Sequence, residues 1–370
     1  MSAKVVKWAV GLIGVVTLLV IVLLALPVQQ WRTGEVPLPE LHYRPTPVNT
    51  VNTVKADKAA RVWLDADAAC GTGKHRDPDD CLALLSLAGA SGIDIVGIST
   101  VFGNAPISET DRLMRALAGE LGPRAGRSLP VFKGCAGAAQ KCLEADGSID
   151  AQTALQQALR AGALDYVALG PLTNLAAVLV KEPALASRIS RVIAVMGRRP
   201  GHRFHPTENR GIGAMLFGHG PIFRDLNAVL DPEAVSVVLA SGIAVILVPY
   251  TAARQVLMTG SDLDRIAGMG TAGRWVAERS RQWLEFWRSE AGLDGFYPFD
   301  LMAAAYLRDP AHFRCAHVRA WVGDDALLPW FGGGPALLVA QAQGVPVTTT
   351  AATEALYCDV VSVKLDELFR

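Results

Sequence analysis

Neither sign of charge is in excess: 35 lysines and arginines face 35 aspartates and glutamates. A balanced chain lacks the broad positive face that nucleic-acid binding requires, so no nucleic-acid partner is expected. No internal repeat is evident. Histidine is scarce, at seven residues, and cysteine scarcer, at six. The nearest approach to a soft metal cluster is Cys70, His75 and Cys81, whose irregular spacing argues against zinc. One stretch lacks charge altogether. Trp8 to Val28 is uncharged and rich in Val, Leu and Ile, as long as the ~20 residues a helix needs to cross hydrocarbon.

What is present follows from that stretch. Lys4 and Lys7 precede it, which favours a cytoplasmic N-terminus. No lipobox cysteine follows, and no small-x-small cleavage site is clear near Leu26 to Gln29, so a retained anchor is preferred to a cleaved signal peptide. The expectation is a single-pass protein of the cytoplasmic membrane, with residues 1–28 as a transmembrane anchor and the bulk of the chain on the periplasmic or extracellular side. Residues 29–59, with Pro37, Pro39, Pro45 and Pro47, read as a linker, and residues 60–370 as one large domain. An even cysteine count outside the cytoplasm is compatible with disulfides. The pairs expected are Cys70–Cys81, Cys135–Cys142 and Cys315–Cys358, with ordinary buried thiols as the alternative.

Within the domain, short apolar runs alternate with helical patterns. Val62–Leu64, Ile93–Thr100, Tyr166–Leu169, Val192–Met196 and Ile243–Val248 read as buried strands. Asp80–Ala88, Ser108–Leu121, Leu172–Val180, Pro232–Ser241 and Ser261–Ala291 read as helices. Strand-helix alternation predicts an α/β fold with a mostly parallel central sheet flanked by helices and an open-sheet, Rossmann-like core. Arg198–Gly220, rich in Gly, Arg and His, has no period and reads as a long loop of the functional kind.

Ligands of open parallel sheets bind beyond the carboxyl ends of the strands, and there the polar residues gather. Asp65 and Asp67 end the first strand, Asn104 follows the second, and Gly170-Pro171-Leu172-Thr173-Asn174 follows Leu169. Asp79 and Asp80 open a helix after Pro78. Asp225 and Asn227 precede Asp231-Pro232, and Asp300 begins the run Leu301–Tyr306. Aspartates at helix starts can be simple caps, which would explain Asp79, Asp231 or Asp300. That reading fits Asp65 and Asp67 poorly. Carboxylates at i and i+2 on a strand end share a face, and Asp79 and Asp80 beside them would repel strongly unless a hard cation neutralised them. Oxygen-only donors suit calcium or magnesium.

These segments resemble one known family. Leu64-Asp65-Ala66-Asp67 followed by Asp79-Asp80-Cys81-Leu82-Ala83-Leu84 is similar to the aspartate cluster of the inosine-uridine nucleoside hydrolases. Gly97 to Asn104, Ala168 to Ala176, Asp231 to Ala234 and Val363 to Asp366 fit in the family's order, so the resemblance covers roughly residues 60–370. It implies a nucleoside hydrolase-like fold, Ca2+ as cofactor and cleavage of the N-glycosidic bond of a ribonucleoside. Residue by residue, it implies Asp67, Asp80, Asp300 and the carbonyl of Leu169 as metal ligands and Asp67 as general base. It implies Asp79 and Asn104 on the ribose hydroxyls, Asp225 and Asn227 on the sugar, and homo-oligomers as a common state.

The chain departs from the family's pattern at four points. Ala68 to Pro78 is an insertion relative to the family's compact loop, which a Cys70–Cys81 bridge would staple. Asp225 stands in place of Glu, and His219 lies near an expected Asn. Phe299 replaces the His that many members carry before the metal-binding Asp, so another acid must protonate the leaving base. Of His75, His202, His205 and His219, His219 is the candidate carried forward. Trp283 and Trp287, four apart on one helical face, are candidates for stacking on the base, against ordinary core packing as the alternative. The functional alternatives are a membrane-tethered ribosyl-ligand binding protein without turnover, and a hydrolase of a different ribosyl linkage.

Overall fold

The computed structural model describes residues 41–45, 59–71, 73, 75–138, 142, 150–200, 225–324, 335–345, 349 and 351–370. Its centre is a ten-stranded sheet. In chain order the strands are β1 (Arg44–Pro45), β2 (Ala60–Ala66), β3 (Ile93–Thr100), β4 (Val131–Lys133), β5 (Leu164–Ala168), β6 (Ile189–Ala194), β7 (Val245–Leu247), β8 (Phe313–Asp324), β9 (Pro335–Ala340) and β10 (Thr353–Val360). They lie in the order β1-β8-β10-β7-β6-β5-β2-β3-β4, with β9 also on β8. From β10 through β4 every pairing is parallel, and β8 runs antiparallel to β1, β9 and β10.

The central strands are buried on both faces, as continuous apolar runs require. Val62, Leu64, Val167 and Ile193 belong to one core; Trp63, Tyr166, Val192 and Leu247 belong to the other. The helices that cover them include α1 (Asp79–Leu87), α2 (Ile107–Ala125), α3 (Asp150–Ala161), α4 (Thr173–Lys181), α5 (Leu226–Leu230), α6 (Pro232–Ala240), α7 (Tyr250–Ala253), α8 (Gly260–Ala267), α9 (Thr271–Phe286) and α10 (Phe299–Arg308). All nine residues of α1 are buried, so the helix that opens with Asp79 and Asp80 cannot move without disturbing the core.

Several elements differ from the sequence reading. The single helix expected over 261–291 is broken into α8 and α9, because Gly270, at φ 100°, adopts a backbone that helices exclude. The antiparallel edge β8–β10 and helix α3 were not anticipated. Leu41 to Pro45, inside the stretch read as linker, lies on that edge, with Leu41 buried and Arg44 opposite Cys315.

The membrane localisation expected from the sequence is corrected here. Among the described residues no helix is long and apolar enough to cross a membrane. Residues 1–28, on which that expectation rested, lie outside the described residues, as do residues 201–220 of the expected loop.

Candidate active site and metal centre

The carboxyl ends of the parallel strands converge on one cavity. Asn104, Leu169, Val195 to Gly197 and Tyr250 reach it from the ends of β3, β5, β6 and β7. Asp79 and Asp300 reach it from the first turns of α1 and α10, and Asp225, Leu226 and Asn227 from the start of α5. Asp77 and Phe299 complete the lining. The charged residues among these are Asp77, Asp79, Asp225 and Asp300; no lysine or arginine joins them among the described residues.

Behind the cavity the acids are tied together through the backbone. Asp67 N–H donates to Asp80 Oδ1 at 3.1 Å, joining the end of β2 to the start of α1. Asp79 Oδ1 accepts from Asp80 N–H at 3.1 Å, and its Oδ2 accepts from Asp300 N–H, also at 3.1 Å. Asp79 therefore does cap local N–H groups, but those of two different helices, and so brings Asp300 to Asp80 across 220 residues of sequence. One carboxylate oxygen from each of Asp79, Asp80 and Asp300 lies within 4.8 Å of the others. Asp67, also expected as a ligand, is oriented by Asn104, whose backbone N–H donates to Oδ2 at 2.9 Å and whose Nδ2 donates to Oδ1 at 3.3 Å, which leaves the carboxylate further lone pairs for a cation.

Burial without countercharge raises these acids. Asp67 is pushed up to about 8, chiefly by desolvation and further by the charges of Asp79 and Asp65. Burial, then neighbouring carboxylates, raises Asp80 and Asp300 well above the ordinary range. Asp80 Oδ2 is buried without a hydrogen-bond partner. Such an atom costs stability unless a donor or a cation meets it. Hard oxygen donors around an orphaned carboxylate oxygen therefore fit a divalent cation of the calcium or magnesium type.

Asp65 differs from the expectation that it shares a charged face with Asp67. Its Oδ1 accepts from Ser99 Oγ at 2.6 Å and Asn174 Nδ2 at 2.8 Å, and its Oδ2 from Tyr166 OH at 2.6 Å. It is fully buried, and burial raises it to about 6 against the pull of those three donors. Its backbone carbonyl also receives Leu169 N–H at 2.8 Å. Asp65 thus joins β2, β3, β5 and α4 beneath the site.

Also in the lining, Asn227 Nδ2 donates to the carbonyls of Leu169 at 2.6 Å and Val195 at 3.0 Å. Asp225 caps α5 through Ala228 N–H at 3.4 Å and accepts Gly197 N–H at 2.6 Å. Desolvation raises Asp225 to about 6. Trp283 and Trp287 are not brought to the cavity. Their shared helical face points inward, they are 5% and 0% exposed, and Trp287 packs edge-on against Tyr297 at 5.0 Å. The aromatic residues that do line the cavity are Tyr250 and Phe299, with centroids 5.7 Å apart. Tyr250 had no sequence signal beyond its place after an apolar run. His219 lies outside the described residues.

All three expected disulfides are present. Cys70–Cys81 staples the insertion to α1 directly after Asp80. The insertion is seated further by His75 edge-on to Phe286 of α9 at 4.5 Å and by Arg76 paired with Glu109 of α2 at 3.2 Å.

Comparison with known proteins agrees with this architecture. Residues 62–327 match the model of the inosine-uridine preferring nucleoside hydrolases. A probable uridine nucleosidase of rice is 24% identical over 326 residues, covering 75% of this chain and 90% of the rice protein. A pyrimidine-specific ribonucleoside hydrolase of Salmonella enteritidis is 29% identical over 159 residues, 42% of this chain and 45% of that one. Among solved structures, a plant nucleoside hydrolase superposes with a TM-score of 0.64 at 19% identity, covering 84% of this chain and 96% of its own. A purine-preferring ribonucleoside hydrolase from Gardnerella vaginalis gives 0.60, also at 19%, with 83% and 95% covered. With the family model matching well over half its length, this chain belongs to the inosine-uridine preferring nucleoside hydrolase family.

Proposed function

We propose that the protein is a calcium-dependent ribonucleoside hydrolase that cleaves the N-glycosidic bond to give free base and ribose. The observation that carries this reading is the buried group of Asp79, Asp80 and Asp300, with Asp80 Oδ2 unsatisfied, against a cavity that Asp79 and Asp300 line and four strand ends reach. Asp67, Asp80, Asp300 and the carbonyl of Leu169 are the residues that would hold the ion. When bound, a divalent cation neutralises these carboxylates and acidifies a coordinated water.

The chain's own groups then have distinct tasks. Asp67, oriented by its two bonds from Asn104, accepts the proton of the attacking water. Asp79 and Asn104 hold the ribose hydroxyls, and Asp225 and Asn227 hold the sugar. A cavity whose described charged residues are all acidic favours the positive charge that develops on the sugar as the bond to the base breaks. Phe299 and Tyr250 present ring surface beside it. The proton for the leaving base is assigned to His219.

The test is base release from a panel of purine and pyrimidine nucleosides, with calcium and with chelator. Calcium-dependent release of base and ribose is expected. A folded protein that binds calcium and nucleoside but releases no base would replace this reading with that of a binding protein.

A further inference from the structure

Asp77 is the residue that the family resemblance does not supply. It lies in the insertion Ala68–Pro78, two positions before Asp79, yet it lines the same cavity as Asp79, Asn104 and Asp300. Three fixed points hold it there. The Cys70–Cys81 disulfide closes the insertion from below. Arg76, its immediate neighbour, is anchored to Glu109 of α2. Asp79 N–H donates to Asp77 Oδ1 at 3.2 Å, which orients the carboxylate at the open end of α1 beside the Asp79 side chain. Beyond accepting the Asp79 N–H, this carboxyl adds a further acid to a cavity already bearing Asp79, Asp225 and Asp300, where like charges are unfavourable. An acceptor so placed is compensated when a ligand donates a hydrogen bond to it.

We infer that Asp77 is a further substrate-binding residue, accepting a hydrogen bond from a sugar hydroxyl next to the one held by Asp79. This rests on the ribonucleoside hydrolase reading and deepens it. The insertion is then a specificity element: it adds a second acidic acceptor on the ribose side of the cavity, and its disulfide and ion pair keep that acceptor in register.

The experiment compares the whole protein with Asp77→Ala and Asp77→Asn on inosine, uridine and their 2′-deoxy and 3′-deoxy forms, alongside calcium titration of each variant. Loss of one hydrogen bond to the Asp77 carboxyl is expected to raise KM for the ribonucleosides about 10-fold, with kcat little changed. One of the two deoxy forms should be nearly indifferent to Asp77→Ala, because it lacks the hydroxyl concerned. Asp77→Asn keeps an oxygen acceptor and should recover most of the loss, and calcium affinity should hold in both variants. Equal losses on ribo and both deoxy substrates, Asn no better than Ala, or a KM change that tracks weakened calcium binding would each overturn the inference while leaving the hydrolase reading intact. If the unaltered protein cleaves nothing, the same comparison is made by equilibrium binding of the same nucleosides. Absence of both cleavage and binding overturns both readings together.

Discussion

Asn104 holds Asp67 by both carboxylate oxygens, with its backbone N–H at 2.9 Å from Oδ2 and its amide Nδ2 at 3.3 Å from Oδ1. The residue proposed as the base is thereby fixed by a residue proposed to touch the sugar, so the two roles are mechanically coupled. Asp67→Asn should reduce kcat by at least about 100-fold, the scale of losing a positioned general base. The same change removes one charge from a buried acidic group, so in chelator the variant should melt at or above the temperature of the unaltered protein. Steady-state kinetics and calorimetry together check this; retained activity would remove Asp67 from the mechanism.

Stability in chelator should fall as pH rises. Asp65 and Asp67 sit at about 6 and about 8 in the folded chain, against an ordinary value of 3.8. The folded state therefore binds more protons than the unfolded chain between 3.8 and about 8, and the free energy of unfolding declines across that window. Ordinary surface carboxylates have finished titrating by about pH 5, so the interval from pH 5 to 8 isolates the buried ones. Melting temperature in chelator is expected to drop by several degrees over that interval, and saturating calcium to flatten the slope by replacing protons in the cluster. A melting temperature that rises from pH 5 to 8 in chelator would contradict the assignment.

Much of this site was legible in the sequence because the parallel sheet makes it so. Strands buried on both faces stand out as apolar runs, and the residues just beyond them must share an edge. Asp67 and Asn104 stand out that way, whereas Asp79, Asp80 and Asp300 stand out as acids at helix starts. Other features depend on partners that no local pattern announces. Asp65 looks like its neighbour Asp67, and only Ser99, Tyr166 and Asn174, 34 to 109 positions away, separate their environments. Trp283 and Trp287 have the spacing of a binding face or of a core face, and burial decided for the core. β8 escaped notice because Arg314, His317 and Arg319 interrupt its apolar positions. That strand carries no site residue to draw attention to it.

The disulfides should separate by function. Cys81 follows Asp80 directly, so replacing both Cys70 and Cys81 by serine frees the insertion and loosens the first turn of α1. Calcium affinity should fall roughly 10-fold or more, the scale seen when groups supporting metal ligands are lost. Cys315–Cys358 joins facing positions of β8 and β10, remote in the sheet order from β2 and α1. Its removal should lower stability by about 2–4 kcal/mol and leave calcium affinity unchanged. Calcium titration and thermal melts of the two double variants measure this; matching effects on calcium would show that neither bridge is specific to the site.

Two glycines offer the sharpest steric test. A Cβ built on Gly103 would lie 1.8 Å from Asp67 Oδ2 and 2.6 Å from its Cγ, whereas one on Gly119, within α2, meets nothing within 4 Å. Gly103→Ala must therefore displace the Asp67 carboxylate or the turn that carries Asn104, and either movement breaks the pair on which the proposed base depends. The buried carboxylate cannot swing freely, because Gly170 packs against its other side, where a Cβ would meet Asp67 Cβ at 2.9 Å. Activity should fall by about 100-fold or more, comparable with loss of a general base, with a stability cost of about 1–3 kcal/mol for overpacking. Gly119→Ala, in contrast, removes backbone freedom from an exposed helical position and should stabilise by roughly 0.5–1 kcal/mol with activity intact. Kinetics and melts on both variants decide the matter: a fully active Gly103→Ala protein would mean that the close packing of Gly103 on Asp67 is irrelevant to catalysis, and that Asp67 acts from some other position.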